Sequence, residues 1–260
     1  LSRSEHNNVD LVAVCDLNIE LAARVGRQFG ARSVYTDYRE MLEREALDAV
    51  FIVTGYDEHG HPLYPSIASV AMQAGVHAWI EKPPAASSDE ILELMRVSQE
   101  TGKFVAVGLK KMFFPANVKA KSLITQPEFG SITSITARYP QALPPYADRQ
   151  DAHKMVGFLD HIVHPYSVLK YLAGSVQSIY VERSAANGAS VTAIRFASGA
   201  VGSLHLSAGQ GNLSPLERTE IIGVNANVVV ENNLRVTCYR GKSSGAGYGQ
   251  EADFYHDTAT

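Results

Sequence analysis

The first 108 residues alternate between short apolar runs of strand length and segments with helical spacing. The apolar runs are VDLVAVC (9–15), AVFIVT (49–54), HAWI (77–80) and FVAV (104–107). The helical segments cover residues 18–30, 38–45, 67–74 and 87–101. Strands that are apolar throughout are typical of a parallel sheet covered by helices on both faces. The alternation therefore predicts a Rossmann-type, doubly wound α/β fold with a parallel sheet over residues 1–108.

The pattern changes after residue 108. Helical spacing covers about residues 116–124 and 160–172, and strand-like runs joined by tight turns follow. These runs are 176–183, 190–196, 201–207, 220–223, 228–231 and 235–240. Tight turns join strands that pair antiparallel. Residues 109–260 are therefore predicted to form an α+β domain with an open, largely antiparallel sheet.

The composition argues against nucleic-acid and membrane partners. The formal net charge is −4, and Lys and Arg are scattered along the chain. No apolar run reaches the roughly 18 residues that a membrane span needs. Cys15 and Cys238 both lie in apolar runs, which favours two buried thiols in a reducing compartment, the cytoplasm, over one disulfide.

Asp16 and Leu17 directly follow the first apolar run. In a dinucleotide-binding fold, an acid at the end of the second strand accepts hydrogen bonds from the adenosine ribose. Alternatively, Asp16 caps the next helix, a role that Asn18 suits equally well. Leu17 offers no partner to a 2′-phosphate, which favours NAD over NADP, although NADP stays open.

The glycine-rich phosphate loop of such a fold lies about 20 residues before this acid. The fifteen residues upstream of Asp16 contain no G-x-G-x-x-G sequence. Either the fold differs, or the chain lacks its first strand and phosphate loop. The intact remainder of the alternating pattern favours the second interpretation.

Glu81, Lys82 and Pro83 directly follow the run HAWI. That position is the carboxyl edge of a parallel sheet, where open α/β folds bind their ligands. A partly desolvated lysine there can bind a substrate hydroxyl group and help to move its proton. The alternative is a solvated lysine in a loop before a proline, and the strand context favours the functional interpretation.

Asp160 and His164 are four residues apart and share a face on a helix, whereas His161 points about 100° away. An imidazole can accept a hydroxyl proton, and a carboxylate one turn away can bind a second hydroxyl or orient the ring. The alternative is a capping aspartate beside a core histidine. Pro165 predicts that His164 lies in the first turn of the helix or at a kink.

Three other segments have weaker signals. DEHGH (57–61) contains metal-binding residue types without regular spacing, so we expect a polar loop and no metal site. GKSSGAGYG (241–249) is followed by no helix, so we expect a flexible loop rather than a phosphate cradle. Residues 139–154 either line a sugar pocket or form an ordinary surface loop; the candidates are Tyr139, Tyr146, Arg149, His153 and Lys154.

Four segments occur in one order along nearly the whole chain: VAVCD (12–16), AMQAGVHAWIEKPPA (71–85), VGLKKMFFPA (107–116) and GFLDHIVH (157–164) before a helix ending in YLAG. In this order they resemble the glucose–fructose oxidoreductase, inositol dehydrogenase and MocA-type (Gfo/Idh/MocA) family. The most specific pair is E-K-P after a strand together with D-x-x-x-H on a later helix.

The resemblance implies a dinucleotide-binding Rossmann domain over residues 1–108, incomplete at its N-terminus, and a substrate-binding and dimerisation domain over residues 109–260, incomplete at its C-terminus. It implies NAD, or else NADP, as the cofactor. The expected cofactor-binding residues are Asp16, Leu17, Thr54, Glu81 and Lys82. We also expect a homodimer or homotetramer formed through the C-terminal sheet, and weak cofactor binding by this 260-residue chain alone.

By the same resemblance, Lys82 and His164 handle the substrate's proton and Asp160 binds the substrate. Lys110 and His153 are expected to bind the substrate as well. The implied activity is hydride transfer between nicotinamide and a sugar, polyol or related hydroxy compound. Two alternatives remain: a non-catalytic sensor of sugar or dinucleotide, and an isomerase or lyase that recycles its cofactor.

The sequence departs from the family's pattern at several positions. Tyr64 stands where many members have a histidine, and the loop over residues 55–63 is longer than usual. Ser167 replaces an acid that often follows the helix histidine, and Leu109 replaces an aromatic residue. These changes leave the class of reaction intact and the substrate open.

Overall fold

The computed structural model describes residues 9–209, 216–241 and 250–256. The chain divides into two compact units, Leu1–Gly108 and Leu109–Thr260. The predicted loop over residues 241–249 lies outside the described residues, apart from Gly241.

The first unit alternates strands and helices along its described length. Its elements are β1 (Ala13–Cys15), α1 (Ile19–Phe29), β2 (Ser33–Tyr35), α2 (Tyr38–Arg44), β3 (Ala49–Ile52), α3 (Tyr64–Gln73), β4 (His77–Ile80), α4 (Ser88–Thr101) and β5 (Val105–Val107). All of its strand pairs are parallel: β1 with β2, β3 with β4, and β4 with β5. The predicted α/β fold with a parallel sheet is confirmed.

Capping residues fix the ends of the longer helices in this unit. The Asn18 side chain accepts hydrogen bonds from the backbone N–H groups of Glu20 and Leu21 at the start of α1, and Gly30 ends the helix in the left-handed conformation. At the start of α4 the Ser87 side chain accepts a hydrogen bond from the N–H of Glu90, and Gly102 ends this helix in the left-handed conformation. These signals are local in the sequence, and the helices begin and end close to where they predict.

The parallel strands of the first unit form two separate sheets, β1–β2 and β3–β4–β5. Within the described residues, β1 pairs only with β2 and β3 pairs only with β4. Phe51 in β3 and Val53 just after it are exposed. A strand carrying the expected phosphate loop does not occur in the part of the chain that the structure describes.

The second unit packs two helices on one large sheet. Its helices are α5 (Pro115–Ile124) and α6 (Ala152–Ala173), and short 3-10 turns cover Lys110–Phe113, Pro127–Phe129 and Tyr146–Asp148. Its strands are β6 (Ile132–Tyr139), β7 (Val176–Arg183), β8 (Ser190–Phe196), β9 (Val201–Leu206), β10 (Arg218–Gly223), β11 (Ala226–Glu231), β12 (Arg235–Gly241) and β13 (Gln250–His256).

The eight strands lie in the order β13-β12-β11-β10-β6-β9-β8-β7. Neighbouring strands are antiparallel except β6 and β9, which are parallel. Side chains of β8 alternate between buried and exposed, as expected for a sheet with one covered face. The covered face contributes Ile135, Phe196 and Leu204 to a core that also contains Leu169 and Leu172 of α6. The predicted α+β domain with a largely antiparallel sheet is confirmed.

Two helix starts differ from the prediction. Helix α6 begins at Ala152, because Asp151 caps it by accepting hydrogen bonds from the N–H groups of His153 and Lys154. His164 therefore lies in the middle of a 22-residue helix, and the prediction that it lies in the first turn is wrong. Pro165 is accommodated inside the helix, where the Ser167 hydroxyl donates to the His164 carbonyl oxygen. Helix α3 begins at Tyr64, three residues earlier than predicted, with proline next in its first turn.

Cys15 and Cys238 are free cysteines, so the alternative of a disulfide between them is wrong. Burial is the main cause that raises the pKa of both thiols. Within the described ranges, no helix is both long enough and apolar enough to cross a membrane.

Candidate functional site

In the first unit, candidate cofactor-binding residues lie just beyond the carboxyl ends of strands. Asp16 follows β1 and is half-buried; its N–H donates to the Tyr35 carbonyl oxygen, 3.1 Å away. One carboxylate oxygen of Asp16 accepts from the N–H of Asn18 at 2.8 Å. Since Asn18 caps α1, Asp16 is not the helix cap. Leu17 and Thr54 are exposed.

The segment after β4 is held through its backbone. The Glu81 carboxylate accepts from the N–H of Lys82 at 3.2 Å. On the other side of Lys82, the Pro83 carbonyl oxygen accepts from the Tyr64 hydroxyl at 2.7 Å. Both Glu81 and Lys82 are half-buried, and the Lys82–Pro83 peptide bond is cis. The sequence singles out Tyr64 only as a departure from the family pattern and gives no sign of this contact.

In the second unit, α6 carries the candidate residues His153, Lys154, Asp160 and His164. Asp160 and His164 lie one turn apart; Asp160 is half-buried, and His164 is 5% exposed. His161 is exposed, and its Nδ1 atom lies 2.8 Å from the Gly157 carbonyl oxygen. His153 lies exposed in the first turn of the helix. Helix α6 thus brings Asp160 and His164 together, whereas His153 lies two turns before Asp160.

Lys110 is exposed at the start of the 3-10 turn Lys110–Phe113. A buried polar network fixes that turn. Lys111 forms an ion pair with Glu217, and these side chains are only 12% and 27% exposed. Asn233 donates to Glu217 at 2.8 Å, and Asn117 donates to both Asn233 and the Lys111 carbonyl oxygen at 2.9 and 2.8 Å. Sequence spacing does not reveal this network, because Lys111 and Glu217 are 106 residues apart.

A cavity of about 20 Å³ lies beside this network, lined by residues that include Lys111, Tyr139, Pro165, Val168 and Glu217. That volume holds about one water molecule. The cavity is therefore too small to be a sugar pocket.

The buried Tyr139 side chain predicts that the stability of the second unit falls at alkaline pH. Burial, and then the nearby Glu217 carboxylate, raise the pKa of Tyr139 to about 12. A tyrosine in an unfolded chain ionises near pH 10. Because the folded-state pKa is the higher one, the stabilisation is complete below pH 10 and is lost as the pH rises through 12. We expect the ionisation of Tyr139 to lower the free energy of unfolding by about 2 kcal/mol between pH 10 and 12.

Urea unfolding at several pH values tests this expectation. Tyr139→Phe should lose less stability than the unmodified protein between pH 10 and 12. Tyr146→Phe, which changes an exposed tyrosine of the same unit, should follow the unmodified protein. Equal pH dependence in Tyr139→Phe and the unmodified protein would contradict the expected role of Tyr139.

The segment over residues 57–61 forms a loop that satisfies its own polar groups. The Asp57 carboxylate accepts from the backbone N–H groups of His59 and His61, each at 2.8 Å. These bonds, the one from His61 first, lower the pKa of Asp57. Among the described residues, no group of three or more His, Cys, Asp or Glu side chains is placed to hold a metal ion.

Comparison with known families identifies the chain. Residues 2–109 match the model of an oxidoreductase family with an NAD-binding Rossmann fold, and residues 117–229 match that of the GFO/IDH/MocA C-terminal domain. The chain belongs to the GFO/IDH/MocA oxidoreductase family. The resemblance inferred from the four sequence segments is confirmed, as is the association of this family with NAD.

Curated and solved GFO/IDH/MocA relatives extend this finding. The chain is 28% identical to scyllo-inositol 2-dehydrogenase (NAD(+)) of Bacillus subtilis (strain 168) over 235 residues, which are 85% of this chain and 66% of that enzyme. The structural alignment with a levoglucosan dehydrogenase, solved in complex with NADH and L-sorbose, covers 95% of this chain and 70% of that chain, with a TM-score of 0.76 and 22% identity. The alignment with a dehydrogenase of Chromobacterium violaceum covers 97% of this chain and 74% of that chain, with a TM-score of 0.80 and 20% identity.

The residues present fit part of the nicotinamide dinucleotide that the GFO/IDH/MocA family implies. The half-buried Asp16 carboxylate at the end of β1 uses one oxygen on Asn18, and a carboxylate can accept further hydrogen bonds, as a ribose diol requires. Glu81 stands at the equivalent position after β4. The sequence contains no G-x-G-x-x-G, so none of its residues is assigned to the phosphates.

Proposed function

We propose that the protein is an NAD(P)-dependent dehydrogenase that oxidises a CH–OH group of a sugar, polyol or related hydroxy compound. Support comes from the two family matches and from relatives named scyllo-inositol 2-dehydrogenase and D-glucoside 3-dehydrogenase. The observation that carries the proposal is the position of Lys82, half-buried directly after a parallel strand with its flanking backbone hydrogen-bonded on both sides.

In the proposed reaction, His164 accepts the proton of the hydroxyl group that is oxidised. Lys82 donates a hydrogen bond to the oxygen of that group and stabilises the charge that develops there. Asp160 accepts a hydrogen bond from a second substrate hydroxyl. The exposed Lys110 and His153 bind further hydroxyl groups. The bound cofactor supplies the acceptor for the hydride from the substrate carbon.

The proposed cofactor-binding residues are Asp16, Leu17, Thr54, Glu81 and Lys82. The Asp16 carboxylate binds the adenosine ribose, and the exposed Leu17 offers nothing to a 2′-phosphate, so NAD is the proposed cofactor in preference to NADP. We also propose that the protein acts in the cytoplasm, as a dimer or tetramer formed through the C-terminal sheet.

A substrate screen tests the function. The full-length gene product is incubated with NAD and a panel of inositols, aldoses and glycosides, and absorbance at 340 nm reports NADH. We expect at least one polyol or sugar to be oxidised. NAD and sugar binding without turnover would point to a sensor, and a cofactor that stays bound through many turnovers would point to an isomerase or lyase. Either outcome would contradict the dehydrogenase assignment.

A further inference from the structure

We propose that Tyr64 is a positioning residue that holds Lys82 in place through the Pro83 carbonyl group. This inference rests on the proposed function, in which Lys82 contacts the substrate hydroxyl. Tyr64 itself lies on another element, at the start of α3, and is 1% exposed.

The Tyr64 hydrogen bond joins the start of α3 to the segment after β4, a contact that the sequence does not predict. The hydroxyl donates to the Pro83 carbonyl oxygen at 2.7 Å, across 19 residues of chain. The ring packs in the core of the first unit with Ile52 and Ala68. A hydroxyl held at the end of a rigid, buried ring has little freedom to move, so the Pro83 carbonyl is fixed relative to the core.

The peptide on the other side of Lys82 is also fixed. The Glu81 carboxylate accepts from the Lys82 N–H at 3.2 Å. One residue earlier, the Ile80 carbonyl oxygen accepts from the N–H of Gly108 at 2.9 Å, which anchors the end of β4 to the chain beyond β5. The backbone is therefore anchored at Ile80, two residues before Lys82, and at Pro83, directly after it, which restricts the direction of the Lys82 Cα–Cβ bond.

In this arrangement the Tyr64 ring packs in the core, and its hydroxyl fixes the position of the Pro83 carbonyl next to Lys82. A catalytic group displaced by about 1 Å can lose a hundredfold in rate, because proton transfer depends on geometry. Tyr64→Phe keeps the ring and removes the hydroxyl that donates to the Pro83 carbonyl oxygen. The expected effect therefore falls on the placement of Lys82, while the cofactor-binding residues at other strand ends are unaffected.

The first test separates kcat from KM. We expect Tyr64→Phe to lower kcat by about tenfold and to change KM for NAD by a smaller factor, because Asp16, Leu17 and Thr54 lie at other strand ends and keep their positions. Tyr35→Phe is the matched control, because it removes another 2.7 Å tyrosine hydrogen bond, to Glu45, in the same unit. That variant should lose some thermal stability and keep its kcat. If Lys82→Ala lowers turnover, an unchanged kcat in Tyr64→Phe would overturn the proposal, because the reaction would then need Lys82 but not Tyr64.

A second test does not depend on the substrate or on the proposed function. Competitive labelling with acetic anhydride, followed by mass spectrometry, measures the reactivity of each lysine amino group. Tyr64→Phe should change the labelling rate of Lys82 by at least about twofold and leave that of Lys103, on the same unit, unchanged. If Lys82 labelling changes while Lys82→Ala keeps full turnover, the proposed function fails and the positioning role stands.

A variant with a smaller perturbation covers the case in which Tyr64→Phe does not fold. Tyr64→3-fluorotyrosine keeps the buried ring and makes the hydroxyl a stronger donor. Because this hydroxyl still donates to Pro83, the Lys82 labelling rate should stay within about twofold of that of the unmodified protein, and Lys103 should again stay constant. A larger change at Lys82 alone would show that its position does not depend on this hydrogen bond and would overturn the proposal.

Discussion

Replacing His164 with alanine is expected to lower kcat by about a hundredfold to ten-thousandfold, the range over which a positioned general base contributes. The imidazole is 5% exposed on α6 and lies one turn from Asp160. Alanine removes the proton acceptor and leaves the helix backbone intact, since alanine is the most favourable helix residue. Initial rates of NADH formation with the substrate found in the screen measure the loss.

His161→Ala is the matched control for this prediction. His161 is exposed on the same helix, three residues earlier, and its Nδ1 atom lies 2.8 Å from the Gly157 carbonyl oxygen of the preceding turn. The control should retain kcat within about twofold. Circular dichroism and thermal unfolding check that both variants keep the fold. Full turnover in a folded His164→Ala protein would refute the role of His164 as the base.

Lys82→Met extends the same prediction to Lys82, the residue proposed to assist His164 in the proton transfer. Methionine has nearly the length of lysine and no charge, so the variant removes the amino group with little change in packing. If Lys82 and His164 serve one proton transfer, the double variant should lose far less activity than the product of the two single losses. Multiplicative losses would indicate that the two residues act in separate steps.

Local signals in the sequence account for most of the first unit. The caps Asn18 and Gly30 bound α1, and Ser87 and Gly102 bound α4, because capping depends on residues within one turn of the helix end. In the second unit, the tight turn between the strand-like runs 190–196 and 201–207 similarly predicts the antiparallel pair β8–β9. Prediction succeeds at these positions because the determining atoms are neighbours in the chain.

Pro165 shows how a correct local rule can fail. Proline is disfavoured inside an isolated helix, so its position predicts a helix start near residue 160. The Asp151 cap and the burial of α6 on the sheet outweigh that cost. Tertiary packing supplies a stabilisation that the local sequence does not contain.

The candidate site likewise contains contacts that local sequence spacing predicts and contacts that it does not. Helical spacing places Asp160 and His164 on one face, and the structure has them one turn apart on α6. The contacts of Tyr64 with Pro83 and of Lys111 with Glu217 join residues 19 and 106 positions apart. No periodicity links such pairs, so only the folded structure reveals which residues hold Lys82 and the turn that carries Lys110.

Asp16→Asn is expected to weaken NAD binding by at least about tenfold. A hydrogen bond from a ribose hydroxyl to a carboxylate contributes about 1.5–3 kcal/mol, and asparagine retains shape while losing the charge. The Asn18 N–H can still donate to the side-chain oxygen at position 16, so the turn before α1 should persist. Asp48→Asn is the control, because it makes the same charge change at the amino end of β3, the opposite end of a strand from Asp16. Calorimetric titration of the full-length gene product with NAD gives both dissociation constants.

The identity of residues 16 and 17 should also set the choice between NAD and NADP. The double variant Asp16→Ser, Leu17→Arg removes a carboxylate that would repel a 2′-phosphate and adds a guanidinium that can bind it. Leu17 is exposed, so arginine fits there without repacking the core. The ratio of kcat/KM for NADP to that for NAD should rise by at least about a hundredfold, because two charge changes act in the same direction. A ratio that stays constant would show that the end of β1 does not contact the adenosine ribose, and the cofactor assignment of Asp16 and Leu17 would have to be abandoned.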